Sequence, residues 1–442
     1  MNISRLNILV WLPVYIMLLG CQHKSPDNPD GLAVIDMVNN LGTYQRIPVS
    51  EFVSEFEYIP LETNKDCLIG EENMNIIVTS THIFVQGFKY CYAFSRSGRF
   101  IGKIGSSGQG PGEYIYLTGI SIDKINRSIY LDSFRSLLEY SWDNKFHQSI
   151  QKPSTSTGGG GLTQSFFVRD SFFIGHDDNN YGNAMYNFQV FNKSGQVVKS
   201  FENHVRIDPD RPGGNILANK AMKPFRMGER IYVKEKWNDT LFYLDAQNDL
   251  VPQFVFDLGK YAISKEKRTV TLSSGEVTSR LSDGTIEIPF ELLPMTGIPD
   301  HIFFSYVVND VSAFHMSFPE KPQHKPVIPA GAQIIRYVDN RRLVGIYDIA
   351  SQKTRLLDTD PVSQMTGLIN DLDGGLSLWP KYYTSENELV DVWQAYEMKE
   401  VLTEKYFAAH DIKNPQAHQK LKALLKDLKD DDNPVIVIGK LK

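Results

Sequence analysis

Five times along this chain a strand-like run stops at a tight-turn signal and resumes as a second strand-like run. The copies are Tyr92–Ile101, Leu138–Phe146, Phe188–Val198, Leu241–Leu250 and Leu343–Lys353, with turns near positions 98, 144, 195, 248 and 351. Successive steps are therefore 46, 51, 53 and 103 residues, the last about twice the others. Ser97-Gly98 and Ser194-Gly195 supply the positive φ that a two-residue hairpin requires. A β unit repeating at this interval predicts a propeller, in which blades bury their faces against their neighbours. Aromatic residues at 12 %, with 25 Phe and 21 Tyr, suit a β-rich chain.

The expected fold is all-β: a six-bladed β-propeller closed by its N- and C-terminal strands, with a small α-helical insert in the last blade. The first blade reads from Ile69 to Gly105, the second over about 113–150, the third 163–201 and the fourth 222–259. The fifth is stretched. Its strands Ile302–Val308 and Leu343–Tyr347 flank a loop carrying Pro319, Pro322, Pro326 and Pro329, and 260–298 also reads as loop. The sixth is assembled from both ends. Gly367–Asn370 and Leu376–Trp379 are expected as inner strands, and Val435–Ile438 is expected beside Phe52–Leu61, which removes an open edge.

Helices are predicted over about 385–430. Ser385 to Glu388 is a capping-box pattern, with Leu389, Trp393 and Tyr396 on one face. Asn414 caps a further helix with Pro415 at its first position and an apolar stripe of Leu421, Leu424, Leu425 and Leu428. Gly-rich connectors at Gly105–Gly112, Gly158–Gly161 and Gly213-Gly214 precede new blades, where the chain turns sharply.

Residues 1–20 read as a leader: a short basic start with Arg5, then an apolar run from Leu6 to Leu19 too short for an ordinary spanning helix. It ends in Leu18-Leu19-Gly20-Cys21, which resembles the bacterial lipobox. That resemblance implies lipid attachment at Cys21 and anchoring of the chain to a membrane. Polar residues 21–46 are expected to be a flexible tether, and 47–442 the propeller. Cys67 and Cys91 remain. A disulfide between them is permitted outside the cytoplasm, and two small buried hydrophobes are the alternative.

Together these pieces look like the six-bladed β-propeller lipoproteins of Bacteroidetes. The residues that carry the resemblance are Ile59–Thr63 with Asp66–Gly70, Gly108–Tyr114, Asn238–Thr240 with Pro252 and Asp257–Lys260, and Asp432–Pro434. The resemblance covers nearly the whole mature chain. It implies a propeller exported to the cell envelope on the outer membrane, and it implies no catalytic residue.

The chemistry-bearing patterns are few. Gly105–Gly112 lacks the Gly-Lys-Ser/Thr ending of a phosphate loop. Asn370 to Gly375 resembles half of a calcium loop, but position 382 is Tyr where the late Glu ligand would stand, so Asx turns are expected instead. The ten His show no helical zinc spacing, and no Gly-x-Ser-x-Gly elbow occurs. Ser282–Thr285 holds part of a sialidase Asp box, once. Of the tryptophans that could stack on sugars, Trp142 and Trp237 sit beside turns, whereas Trp379 and Trp393 are expected to pack. A net charge of −6 with mixed signs gives no nucleic-acid footprint.

No metal or cofactor is expected. The expected function is binding of a glycan, a peptide or an envelope protein at the channel mouth, without catalysis. Glu113, Tyr114 and Asp371 are the candidate contacts, chosen by position. A protein–protein scaffold using the helical insert and a glycan-active hydrolase or lyase are the alternatives.

Overall fold

The computed structural model describes residues 31–70, 74–155, 161–177, 184–203, 224–235, 238–262, 290–308 and 343–442. Residues Ala33–Lys442 form one compact unit. The expected leader at 1–20, Cys21, Gly158, Gly213-Gly214, Trp237, the Ser282–Thr285 motif and the Pro-rich stretch lie outside the described residues.

The chain opens with three strands: β1 (Ala33–Asp36), β2 (Tyr44–Gln45) and β3 (Val53–Pro60). Blade 1 follows as β4 (Asn75–Val78), β5 (His82–Gln86), β6 (Cys91–Ser95) and β7 (Phe100–Lys103). Blade 2 is β8 (Leu117–Asp123), β9 (Ser128–Ser133), β10 (Ser136–Ser141) and β11 (Phe146–Gln151). Blade 3 is β12 (Thr163–Arg169), β13 (Phe172–His176), β14 (Tyr186–Asn192) and β15 (Val197–Glu202). Blade 4 is β16 (Phe225–Met227), β17 (Arg230–Val233), β18 (Thr240–Leu244) and β19 (Leu250–Asp257). Blade 5 is β20 (Phe290–Ile298), β21 (His301–Val308), β22 (Leu343–Asp348) and β23 (Lys353–Leu357). Blade 6 holds β24 (Tyr382–Tyr383), β25 (Glu388–Trp393) and, after helices α1 (Ala395–Val401), α2 (Glu404–Ala408) and α3 (Pro415–Asp427), β26 (Val435–Leu441). The six sheets make the expected propeller.

Closure is as expected. β26 pairs antiparallel with β3, from Val435 opposite Pro60 to Lys440 opposite Glu55, so the two ends of the chain share blade 6. Three details differ from the sequence reading, the third being that Phe290–Ile298, expected within a loop, is strand β20 of blade 5, paired with β21. Residues 33–45 are not tether: β1 lies parallel to β19 as a fifth strand of blade 4, and β2 lies parallel to β23 in blade 5. The pairing satisfies an outer edge that only a distant segment supplies, so nothing local in Ala33–Asp36 announces it.

The second correction is in blade 6. Its first two strands are β24 and β25, while Gly367–Asn370 and Leu376–Trp379 meet only through an isolated Leu368–Leu378 bridge. The Ser385–Glu388 pattern is a hairpin turn, with Asn387 at φ 62°, and every residue of β25 is buried. A strand covered on both faces is apolar without alternation, which imitates one face of a helix. The helical insert accordingly starts at Ala395. Asn414 caps α3 through its side chain, which accepts from the Ala417 N–H, with Pro415 at the first position as expected.

The repeating turns do more than reverse the chain. Gly98 (φ 83°) and Gly195 (φ 78°) dock against the last strand of the preceding blade. A Cβ there would stand 2.2 Å from the Pro60 oxygen and 2.5 Å from the Gln151 oxygen. Glycine is needed for contact as well as for φ. The neighbouring cations cross the same seams: Arg96 pairs with Glu57 and Glu388 of blade 6 at 2.8 and 2.9 Å, and Lys193 with Glu139 of blade 2 at 2.7 Å. Cys67 and Cys91 are free and buried, each in an apolar cluster.

Candidate functional site

Strand direction sorts the connections onto two faces. Second strands and fourth strands all end on one face, and from it leave 61–74, 104–116, 152–162, 203–224, 258–289, 309–342, 358–381 and the insert 394–434. Among the described residues, no hairpin connection within a blade on the opposite face is longer than 245–249. Loops on a rigid frame are where binding groups gather.

On that face blades 1 and 2 carry a line of aromatic rings. Phe88 sits in the connection between β5 and β6, Tyr116 just before β8, and Phe134 between β9 and β10. Phe88 and Tyr116 stack with centroids 5.2 Å apart and planes 6° from parallel, and Tyr116 meets Phe134 at 6.0 Å. Phe88 is 49 % exposed, Phe134 45 % and the adjacent Ile115 61 %. Large apolar groups standing together in water mark interaction sites more often than singly exposed ones do. The Arg135 guanidinium lies 5.6 Å from the Phe134 ring centre, and Lys89 follows Phe88. Among the described residues no carboxylate is within ion-pair distance of Lys89 or Arg135.

The ladder stands on a fixed floor. The Leu117 N–H donates to the Phe88 oxygen at 2.8 Å, which ties the blade 1 loop to the inner strand of blade 2. The Lys152 N–H donates to the Arg135 oxygen at 2.9 Å. Beneath, Lys152 Nζ meets Asp132 Oδ1 at 2.5 Å with both side chains sealed from water, and the Ser165 N–H donates to Asp132 Oδ2 at 2.7 Å. Burial pushes the Asp132 carboxyl up, and Lys152 offsets part of that. Across blades 3 and 4 a second buried polar set continues on the same face: Asn187 Nδ2 donates to Glu235 Oε1 at 2.6 Å and Lys234 Nζ to the Glu235 oxygen at 3.0 Å.

The residues expected from the sequence are placed as follows. Glu113 folds back on its own connector, accepting from the Gly110 N–H at 2.7 Å and the Ser106 hydroxyl at 3.3 Å. Tyr114 is buried, its hydroxyl donates to the Ile104 oxygen at 3.3 Å, and burial pushes that hydroxyl's pKa up. These two shape the loop that presents Ile115 and Tyr116. Asp371 belongs elsewhere: it accepts from the Ser50 N–H (2.9 Å) and hydroxyl (2.6 Å) and pairs with Lys413 of the insert at 2.7 Å. Among the described residues no hydrogen bond or ion pair links Asp371 with Glu113 or Tyr114. Trp142 is buried under Arg127, at 4.6 Å, and Trp393 is buried in blade 6.

Asp371 is one spoke of a polar hub that braces the insert. Tyr58 donates to both oxygens of Asp373 at 2.9 Å, and Asn370 accepts from the Leu372 and Asp373 N–H groups, the expected Asx turn. Asp360 accepts from the Ser363 hydroxyl at 2.8 Å and meets His410 Nε2 at 3.0 Å, while the Tyr406 hydroxyl donates to the Gly375 oxygen at 3.1 Å. Phe407, Tyr406 and Leu421 are buried in the core shared with blades 5 and 6.

Sequence reasoning missed the ladder, though a signal for it exists. Phe88-Lys89 and Phe134-Arg135 are the same aromatic–cation pair 46 residues apart, the step that separates turns 98 and 144.

No curated protein sequence matches the chain. Among solved structures it resembles a putative exported protein from Bacteroides fragilis at 14 % identity, covering 93 % of this chain and 99 % of that one, with a TM-score of 0.60. A member of the DUF4221 family from Bacteroides vulgatus follows at 9 % identity, 88 % and 97 % coverage and a TM-score of 0.44. A virginiamycin B lyase from Staphylococcus aureus follows at 7 %, 61 % and 89 %, and 0.31. The first supports the fold, and the other two superpose too loosely to carry an argument. The profile of the domain of unknown function DUF4934 spans residues 32–440, and the chain belongs to that family.

Proposed function

We propose that this is an exported, lipid-anchored propeller of the cell envelope that binds a ligand on its long-connection face, without catalysis. The observation that carries the reading is the exposed Phe88–Tyr116–Phe134 ladder, fixed from beneath and flanked by two unpaired cations. Export is supported by the description of the Bacteroides fragilis relative and by the leader, and anchoring by the Gly20-Cys21 junction. A binding role rather than a catalytic one is supported by the commitment of the buried carboxylates Asp132, Asp360, Asp371 and Asp373 to internal donors. Glu113 and Tyr114 act in this reading by holding the connector.

The test is a binding panel of polysaccharides, peptides and purified envelope proteins, run on the full chain and on a Phe88→Ala/Phe134→Ala variant. The expected result is a binder whose affinity falls at least tenfold in the variant. Ile125 is 92 % exposed on the opposite face, so Ile125→Ala should leave that affinity unchanged. A binder lost with Ile125→Ala and kept without the two rings would move the site to the other face.

A further inference from the structure

We infer that the ladder with Lys89 and Arg135 binds an anionic polysaccharide, its sugar rings lying on Phe88 and Phe134 and its acid groups meeting the two cations. The inference rests on the reading that this face binds, and it names the ligand class.

Three features of the patch select that chemistry. The rings follow in succession, 5.2 and then 6.0 Å apart; Phe88 stacks one face on Tyr116, and Phe88 and Phe134 each stay about half open, so the patch offers two apolar ring surfaces side by side rather than a single pocket. Such faces suit ligand rings whose C–H groups point to one side, since the aromatic face is the negative part of its quadrupole.

The second feature is charge. Lys89 and Arg135 repeat beside Phe88 and Phe134, and no described carboxylate neutralises either. In a chain of net charge −6, two free cations at one patch set a local field that favours an anion. The guanidinium over Phe134 keeps its edge free for a carboxylate or sulfate, which it can grip with two parallel N–H groups.

The third feature is what the patch does not offer. Part of the backbone of these connectors is already paired: the Gly87 N–H donates to the Tyr90 oxygen, the Leu117 N–H to the Phe88 oxygen and the Lys152 N–H to the Arg135 oxygen. A peptide that binds as an added strand needs a continuous row of such groups, which connections as short as 87–90 and 134–135 do not present. A single-stranded nucleic acid needs a cationic groove along its whole path, which two charges do not make. A polysaccharide needs only rings, acid contacts and hydroxyl contacts at the rim.

The experiment is titration calorimetry on the full chain at low and moderate salt. The ligands are polygalacturonate, chondroitin sulfate, dextran, polyglutamate and oligothymidylate. Binding is expected to polygalacturonate or chondroitin sulfate, the two arms separating carboxylate from sulfate recognition. It should weaken about tenfold in Phe88→Ala/Phe134→Ala. In Lys89→Gln/Arg135→Gln it should weaken about threefold or more and lose part of its salt dependence. No binding to either anionic polysaccharide overturns the assignment. Equal binding to dextran, polyglutamate or oligothymidylate overturns it as well, as does polysaccharide binding that survives removal of the rings. If the wider panel yields a different binder that needs Phe88 and Phe134, the face reading stands and only the ligand class falls. Matching melting curves for all variants show that folding is not what changed.

Discussion

The insert region and the ladder region both belong to connections of one face, and they treat their functional groups in opposite ways. Where the 358–381 connection meets the insert, the buried carboxylates turn inward. Asp360, Asp371 and Asp373 collect donors from Ser363, His410, Ser50, Lys413 and Tyr58, and Tyr406 spans to the Gly375 oxygen. At the ladder the polar pair Asp132–Lys152 is hidden below, while Phe88, Phe134, Lys89 and Arg135 are left to solvent. Hydrogen-bonding capacity satisfied inside the chain stabilises it, whereas capacity and apolar surface left outside are available to something else. Titratable residues clustered in a loop, the usual lure for a functional assignment, here mark the brace.

The largest expected effect therefore lies in the insert. Tyr406→Ala removes a buried ring and its bond to Gly375, and it should cost about 3–5 kcal/mol of unfolding free energy by denaturant titration. A loss below about 1 kcal/mol would show that the insert hangs free of the ring and would restore it as a candidate contact surface. Next comes the floor of the ladder. Asp132→Ala leaves the Lys152 ammonium sealed without its carboxylate, at a cost of about 3 kcal/mol. Asp132→Leu with Lys152→Met should recover part of that loss, because the pair itself gains little over apolar packing while the Ser165 N–H is left without its acceptor. Failure of the double variant to recover would make the ion pair, rather than the filled space, what holds the Phe134 hairpin.

How much of this the sequence discloses depends on whether the cause is local. The turns at Gly98, Asn144, Gly195 and Asn248 are legible because each needs a positive φ that few residues tolerate. Their second purpose, docking on Pro60 or Gln151 of the blade before, is invisible because the partner lies elsewhere in the chain. The same holds for Ala33–Asp36, which is a strand only because β19 has an edge to share. β25 misleads for a different reason. Burial on both faces erases the alternation that identifies a strand, and the Ser385–Glu388 turn imitates a helix cap. Glu113 and Tyr114 share a connector with Ile115 and Tyr116, but a Glu beside glycine N–H groups is drawn into the loop, Tyr114 is buried, and Ile115 is the residue that stands exposed.

A smaller effect comes from pH, and it separates two carboxylates of the brace. Burial pushes Asp371 up, but the bonds from Lys413 and Ser50 outweigh it and hold its pKa below the usual Asp value. Its contribution is present above the unfolded pKa and is lost as pH falls through the lower folded one. For Asp373 burial prevails over the Gly375, Tyr58 and Asn370 bonds, and its pKa is raised. Its carboxyl favours folding most when protonated, so that contribution declines as pH rises through the folded pKa. Unfolding curves across the acid range should show the stability gap between wild type and Asp371→Asn closing as pH falls, and the gap for Asp373→Asn moving the other way. Parallel trends would mean that the hub does not hold the two groups in different environments.

The smallest expected change in stability is at the ladder itself, and it is the sharpest test of the contrast. A ring that exists to pack should cost its burial and its cavity when truncated, as Tyr406 does. Phe134 is 45 % exposed, so much of its surface is already wet and Phe134→Ala leaves no sealed void. What remains is its contact with Tyr116 at 6.0 Å and the Arg135 contact at 5.6 Å, open interactions that together contribute about 1 kcal/mol or less. Denaturant titration of Phe134→Ala should therefore move stability by no more than about that amount while ligand affinity drops about threefold, its share of the loss expected when both rings go. Equal and large losses in both would mean that the ladder is a packing seam between blades 1 and 2. The difference from the insert would then be one of degree, because both regions would spend their side chains on holding the ring together.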